Sequence, residues 1–222
     1  MKIVNPGQED YHIHSINFSD GLNTIDEIVI FAGIFGLKRI AITDHSQALL
    51  DRFGYHRRGE RTLVKRWKDI HNSVEVIFGV EGDLLDESGE ISDNIQGMVP
   101  ELIILSAHPD VYQSSKSTIT KGYINAIKKH SDRIKFIGHP CSTYFREFAN
   151  IKEVVKAAND YGVALEINGS NLVNGNTDMK NLQILLENAA KVYVNSDAHT
   201  LYELQNARIV AFEHLKSMGV NL

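Results

Sequence analysis

The chain has 222 residues, of which 43% are hydrophobic, 23% charged and 8% aromatic. This length and apolar content suit one well-buried domain and exclude a disordered chain. The formal net charge of −5 argues against a protein that holds nucleic acid by charge alone. We expect a single domain over residues 1–222. The one cysteine, Cys141, cannot form an internal disulfide, which indicates a reducing compartment.

The apolar stretches of the chain bear on its localisation. The start MKIVNPGQEDYHIH lacks the apolar core and the small-residue cleavage site of a signal peptide. The longest apolar stretch, IDEIVIFAGIFGL, is too short and, with Asp26 and Glu27, too polar to span a bilayer. We therefore expect a cytoplasmic protein without a membrane partner, and the sequence leaves its oligomeric state open.

Short apolar runs, often β-branched, alternate with segments of helical period along the chain. The predicted strands are 11–16, 39–45, 74–85, 102–108, 135–140, 164–169 and 191–199. The predicted helices lie near 24–36, 60–72, 118–131, 150–162, 178–190 and 201–218, with Thr24 and Thr200 as N-caps. This alternation predicts βαβ units, and seven parallel strands predict a closed or nearly closed barrel, with an open doubly wound sheet as the alternative.

Almost every predicted strand ends in a histidine or a carboxylate. Because the carboxyl ends of parallel strands open on one face, we expect these side chains to converge. His12 and His14 are two apart and so point to the same face, as do Asp197 and His199. Imidazoles and carboxylates together suit divalent transition metals, and the candidates are too many for one ion. The candidates are His12, His14, Asp20, His45, Glu81, His108, His139, Asp197 and His199. We therefore predict two or three divalent metal ions, namely zinc, manganese or iron.

These motifs, taken in order, resemble those of the PHP family, named for polymerase and histidinol phosphatase. The resemblance is carried by HIH, SDG, ITDHS, GVEGDLLDESGEISD, SAHPD, IGHP, LEINGS and NSDAH, over nearly the whole chain. The motif sequences are most similar to those of the PHP domain at the end of bacterial family X DNA polymerases. No polymerase domain is present, so a free-standing protein is expected. The resemblance implies a distorted seven-stranded (β/α)7 barrel of the PHP type.

The resemblance also implies how a trinuclear centre would divide the nine candidates. One ion would be bound by His12, His14, Glu81 and Asp197. A second ion would share Glu81 and add His108 and His139. The third ion would be bound by Asp20, His45 and His199, while Asp44 would orient a neighbouring ligand histidine.

The function implied is a metal-dependent phosphoesterase, a hydrolase of phosphate ester bonds that uses a metal-bound hydroxide on the monoesters of small metabolites. The alternative is a phosphodiesterase or 3′-end nuclease acting on nucleic acid, which the polymerase-like wording favours and the acidic charge disfavours. A non-catalytic metal-binding or interaction module and a metal-dependent amidohydrolase are further alternatives. Histidinol phosphate is not the expected substrate, because the motif TDHSQ departs from the TEHAP-like motif of the histidinol phosphatases.

The stretch RFGYHRRGER, residues 52–61, follows the second predicted strand and is rich in arginine. Arginine matches phosphate with two parallel hydrogen bonds, so His56, Arg57 and Arg58 are predicted to bind the substrate phosphate. The alternative is the solvated start of a basic helix. Arg146 and Asn168 are weaker candidates for the same task.

If the arginines clamp the substrate phosphate, Arg57→Ala or Arg58→Ala will raise KM more than it lowers kcat, because binding is lost and the chemistry is kept. Steady-state kinetics on one phosphate ester measures both parameters. Unchanged kinetics in both variants would reject the clamp.

Overall fold

The predicted parallel strands form one curled sheet in the computed structural model, which describes residues 1–54, 66 and 72–220. The strands are β1 (Lys2–Ile3), β2 (Glu9–Asp10), β3 (Arg39–Ile42), β4 (Glu75–Leu84), β5 (Ile91–Ser92), β6 (Leu102–Ser106), β7 (Ile134–Ile137), β8 (Ala164–Asn168) and β9 (Lys191–Asn195). Their order is β1-β9-β8-β7-β6-β4-β3-β2, and all of these neighbours pair in parallel. The short β5 pairs antiparallel with β4.

The segment that follows β2 brings the two ends of the sheet together. The His14 N–H donates to the carbonyl of Ala198 at 2.9 Å, beyond the end of β9. On its other side, the Thr43 N–H donates to the carbonyl of Ile13 at 2.9 Å, beyond the end of β3. The predicted distorted (β/α) barrel is confirmed, and the short strands β1 and β5 are additions to the seven strands that were predicted.

The strand predicted over 11–16 is wrong in extent, because the ladder occupies Glu9–Asp10 and only an isolated bridge forms at Ile13. Side chains take the place of ladder partners in this segment. The Ile13 N–H donates to Thr43 Oγ1 at 3.1 Å, and the Ser15 N–H donates to Asp44 Oδ1 at 2.6 Å. Such local side-chain acceptors compete with regular strand pairing.

Helices follow most strands and cover the outside of the sheet. They are α1 (Ile25–Ile34), α2 (Gln47–Phe53), α3 (Ile119–His130), α4 (Ile151–Tyr161), α5 (Gly169–Val173), α6 (Met179–Asn188) and α7 (Leu201–Ser217). Five of the predicted helices are confirmed, whereas the one near 60–72 lies almost wholly outside the described residues. The short α2 and α5 were not predicted, although Ser46 and Gly54 cap α2. No helix in the described ranges has both the length and the apolarity needed to cross a membrane.

Alternation along the strands separates the interior of the barrel from the layer under the helices. In β8, Leu165 and Ile167 belong to the apolar cluster that includes α4, whereas Ala164 packs inside the barrel with Phe136 and Tyr193. The rings of Phe136 and Tyr193 stack with centroids 4.7 Å apart. Aromatic side chains therefore fill the amino-terminal part of the interior, and the inward positions nearer the carboxyl ends are left to polar residues.

Helix α1 begins with the predicted cap. The Glu27 N–H donates to Thr24 Oγ1 at 3.3 Å, and the Thr24 N–H donates to Glu27 Oε2 at 2.8 Å, which makes a capping box.

Thr24→Ala should lower the free energy of unfolding by about 1 kcal/mol, because the Glu27 N–H loses its acceptor. Thr24→Ser keeps the hydroxyl and should unfold like the wild type. Urea unfolding followed by circular dichroism compares the three proteins, and an unchanged Thr24→Ala would show that the cap does not stabilise the helix.

Candidate metal centre

The structure brings all of the predicted ligands together at the carboxyl ends of the strands. Glu81 lies in β4, and the other members lie on loops that follow strands or, for Asp20, precede α1. We call the set His12, His14, Asp20, His45, Glu81, His108, His139, Asp197 and His199 the histidine–carboxylate cluster. The predicted convergence of residues spread along the chain is therefore observed.

Glu81 lies at the middle of the cluster, and its side chain is fully buried. Its Oε1 is 2.9 Å from His139 Nε2, and its Oε2 is 2.8 Å from His45 Nδ1. Ring nitrogens of three further histidines lie 3.4–3.6 Å from the same carboxylate, those of His12, His14 and His108. One carboxylate thus joins most of the imidazoles in the cluster.

The rings of His12 and His14 face each other with their Nε2 atoms. Their Nε2 atoms are 3.1 Å apart, and both lie within 3.4 Å of Asp197 Oδ1. The opposite nitrogens are already bonded, with His12 Nδ1 2.9 Å from Glu166 Oε1 and His14 Nδ1 2.9 Å from Ser19 Oγ. Convergent Nε2 atoms with Nδ1 held by an outer partner are typical of metal-binding histidines.

A tight loop before α1 carries Asp20 to the edge of the cluster. Asp20 Oδ1 is 3.2 Å from His45 Nε2 and 3.2 Å from His199 Nε2. The next residue, Gly21, lies so close to the carbonyl of His14 that any Cβ there would clash with the backbone. Glycine therefore lets the loop fold back onto the His14 segment and deliver Asp20.

Two members of the cluster adopt backbone conformations that non-glycine residues seldom populate. His139 has a φ of +27° and Asp197 a φ of +54°. Such conformations cost on the order of 1–3 kcal/mol each and concentrate at functional sites. The turns re-aim both side chains just after the strands end.

The donor atoms fit divalent metal ions. His45 Nδ1 and Glu81 Oε2 are buried and have no hydrogen-bond partner, although they lie 2.8 Å apart. Within the described residues, three sets of donor atoms lie within 4.8 Å of one another, and they overlap at His14, His45 and Glu81. The sets are His14, Asp20, His45 and His199; His12, His14 and Glu81; and His45, Glu81 and His108. Buried atoms without partners among imidazoles and carboxylates are what a cation would satisfy.

Burial and neighbouring charges shift the pKa values in the cluster in opposite directions. Burial disfavours the charged ring of His12, but the carboxylates of Glu166, Asp197 and Glu81 raise its pKa well above the usual value. Burial and the nearby ring of His199 lower the pKa of His14 to about 4. A lowered pKa favours the neutral ring, which is the form in which an imidazole binds a metal ion.

Two buried carboxylates that support the cluster were not predicted. Asp83 Oδ1 is 2.7 Å from His108 Nδ1, and the Ser46 hydroxyl donates to Asp83 Oδ2 at 2.6 Å. Glu166 holds His12, as described above. Each lies on the inward face of its strand, Asp83 two residues after Glu81 in β4. The two-residue period of a strand was the signal that could have found both.

The remaining residues that were predicted to support the site or to bind phosphate have the following contacts. The predicted role of Asp44 in orienting a ligand histidine stays a prediction: its carboxylate accepts from the N–H and the hydroxyl of Ser15, the residue after His14. The Asn168 amide donates inside the cluster, and Arg146 pairs with Asp178 at 3.0 Å. The predicted phosphate-binding residues His56, Arg57 and Arg58 lie outside the described residues.

A cavity of about 260 Å³ opens over the cluster. Eight of its lining residues are cluster members. The others form a rim, which consists of Leu49, Phe53, Pro109, Asp110, Tyr144 and Asn171. None of the lining residues in the described part of the chain is Lys or Arg.

Cys141 follows His139 closely but faces apolar neighbours. It is 5% exposed and belongs to the apolar cluster between the sheet and the helices. Burial raises the pKa of its thiol. Because the thiolate is the reactive form, the thiol is not poised as a nucleophile.

Comparisons with known proteins agree with this arrangement. The family model described as the PHP domain matches residues 10–198. A probable phosphatase from Caldanaerobacter subterraneus subsp. tengcongensis is 30% identical over 204 residues, which are 88% of this chain and 77% of that protein. A probable phosphatase from Shewanella baltica is 32% identical over 167 residues, 73% of this chain and 62% of that protein. This second match leaves more than a third of that relative uncovered.

A solved structure shares the fold. Histidinol phosphate phosphatase from Lactococcus lactis subsp. lactis, solved with zinc, L-histidinol and phosphate, superposes with a TM-score of 0.54. The alignment covers 92% of each chain at 19% sequence identity. At this identity the likeness concerns the fold.

The thiol of Cys141 should react with Ellman's reagent at pH 8 far more slowly in the native protein than in denaturant, because it is buried and protonated. Absorbance at 412 nm follows the reaction and should reach one thiol per chain after denaturation. Rapid reaction of the native protein would contradict the burial of Cys141 and reopen a role for its sulfur.

Proposed function

The chain belongs to the PHP domain family, and we propose on that basis that it is a metal-dependent phosphatase that hydrolyses phosphate monoesters at the histidine–carboxylate cluster. It is a hydrolase that acts on phosphate ester bonds, as its family and its relatives named probable phosphatases indicate. The observation that carries the proposal is the set of convergent imidazoles and carboxylates around buried Glu81.

The cluster would hold three divalent ions. His12, His14, Glu81 and Asp197 would bind the first ion, Glu81, His108 and His139 the second, and Asp20, His45 and His199 the third. Buried donors without hydrogen-bond partners, His45 Nδ1 and Glu81 Oε2, support this reading. Ions bound there supply an ionised water near neutral pH and neutralise charge on the phosphate oxygens. Zinc, manganese and iron all suit this mixture of ligands.

The protein's own residues would do the remaining work of binding and orientation. The described lining of the cavity has no Lys or Arg, so it offers the phosphate neither an ammonium nor a guanidinium group. The leaving group would lie against the rim, where Phe53 and Tyr144 offer aromatic surface and Asn171 offers an amide. His56, Arg57 and Arg58 stay proposed as additional phosphate-binding residues.

The size of the cavity and the net charge of the chain support a small monoester over a nucleic acid. A cavity of about 260 Å³ accommodates a phosphate with a small leaving group. The chain has a net charge of −5, whereas sites that follow a nucleic-acid backbone are typically basic. A phosphodiesterase or 3′-end nuclease activity is the alternative outcome of the experiment below.

We expect the wild-type protein, assayed with added manganese, to hydrolyse p-nitrophenyl phosphate faster than bis-p-nitrophenyl phosphate. His14→Ala should lose this activity, because His14 contacts both Glu81 and Asp197 in the cluster. The matched control is His214→Ala, which removes a histidine of α7 outside the cluster and should keep the activity.

Absorbance of the released p-nitrophenolate at 405 nm measures hydrolysis of both esters by the wild type and of p-nitrophenyl phosphate by the two variants. Removing the metal with a chelator should abolish the activity, and adding metal back should restore it. A clear preference for the diester would favour the nuclease alternative. No hydrolysis of either ester by metal-loaded protein would contradict the proposed phosphatase activity.

A further inference from the structure

We propose that Glu166 is a positioning residue that sets the tautomer and orientation of the His12 ring and also holds the backbone at His139. This inference rests on the proposed metal centre. It gives one buried carboxylate control over ligands on both sides of Glu81.

Glu166 is 1% exposed and receives four donors. Its Oε1 is 2.9 Å from His12 Nδ1 and accepts from Asn195 Nδ2 at 2.8 Å. Its Oε2 accepts from the His139 N–H at 2.8 Å and from Asn168 Nδ2 at 3.1 Å. Because a carboxylate offers acceptors on both oxygens, it satisfies all four donors at once.

The orientation of both asparagine amides is fixed by other bonds. Asn195 Oδ1 accepts from Asn5 Nδ2 at 3.0 Å and from the Tyr11 N–H at 3.2 Å. Asn168 Oδ1 accepts from the Asn171 N–H at 2.9 Å. A flip of either amide would break these bonds, so both asparagines present N–H groups to Glu166.

This network determines which nitrogen of His12 carries a proton. The carboxylate of Glu166 can only accept, so His12 Nδ1 is the donor. In the neutral, metal-binding form of the ring, Nε2 is then the nitrogen left to bind an ion, and it faces His14 Nε2 at 3.1 Å and Asp197 Oδ1 at 3.4 Å. A hydrogen bond to the far nitrogen is the usual way in which proteins orient a ligand imidazole.

The same carboxylate anchors the strained turn after β7. The His139 N–H bonds to Glu166 where the His139 φ is +27°, and the ring then lies with Nε2 2.9 Å from Glu81. A strained conformation persists where its surroundings over-determine it. Glu166 supplies one of those restraints, and Asn168 extends the network to Asp197 at 2.9 Å.

Glu166→Gln tests the proposal with a side chain of the same shape. With Asn168 and Asn195 fixed, either orientation of the glutamine amide sets an N–H₂ group against two donors. If the N–H₂ group faces His12, Nδ1 of the ring must act as the acceptor, so the proton of the ring moves to Nε2. We expect zinc to bind about 10–100-fold more weakly, measured by competition with a chromophoric chelator on metal-free protein.

Asp10→Asn is the matched control, because Asp10 is an equally buried carboxylate in the same region. Asp10 Oδ1 accepts from the backbone N–H of His12 at 3.3 Å and of Ser196 at 3.1 Å and has no bond to the His12 ring. Asp10→Asn should lose far less zinc affinity than Glu166→Gln, because it leaves the hydrogen bond to the His12 ring in place. Wild-type affinity in Glu166→Gln, or an equal loss in both variants, would overturn the proposal.

A measurement on the wild type covers the case in which Glu166→Gln does not fold. In ¹¹³Cd-loaded protein with ¹⁵N-labelled histidine, His12 should show its coupling to cadmium on Nε2 and keep a proton on Nδ1. Cadmium coupling on Nδ1 would overturn the proposal. Both tests read metal binding, so a wild type that binds zinc but hydrolyses no ester would contradict the phosphatase proposal alone.

Discussion

A carboxylate buried at the end of a barrel is the constraint on which the site depends. Glu81 is inaccessible to solvent, and an unpaired charge in that position would cost several kcal/mol. Ring nitrogens of five histidines within 3.6 Å of it provide the compensation. These rings turn their nitrogens toward one carboxylate, an arrangement that divalent cations shared among them would satisfy.

A second layer of bonds makes this arrangement rigid. Three cluster histidines have the nitrogen away from Glu81 held by a neighbour: His12 by Glu166, His14 by Ser19 and His108 by Asp83. Lysine and arginine are absent from these bonds. The rings therefore have defined orientations before any ion arrives, which lowers the conformational cost of binding one.

The barrel supplies the two conditions that such a cluster needs. Aromatic packing of Phe136 and Tyr193 closes the interior below the cluster and keeps the buried polar groups away from water on that side. Above it, the strands end and the backbone is free to turn. The strained φ values of His139 and Asp197 are tolerated there because surrounding hydrogen bonds hold both residues in place.

Much of the architecture could be read from local pattern. Apolar runs of period two and helical segments with caps such as Thr24 specify strands and helices, since both depend on neighbours in sequence. The same reading failed at 11–16, where Thr43 and Asp44 offer side-chain acceptors that no local pattern reveals. It also passed over Glu166 and Asp83, although the two-residue period of a strand puts both on an inward face, because their partners lie far away in the sequence.

The sequence by itself determined the βαβ alternation and the choice of residues at the strand ends, because periodicity and residue chemistry are properties of neighbouring positions. Only the tertiary structure decided how those residues meet. It brought Asp20 to His45 and His199, and it set Glu166 against His12 and His139. Such contacts depend on closure of the sheet and on turns at individual residues, which are long-range and stereochemical outcomes that spacing does not encode.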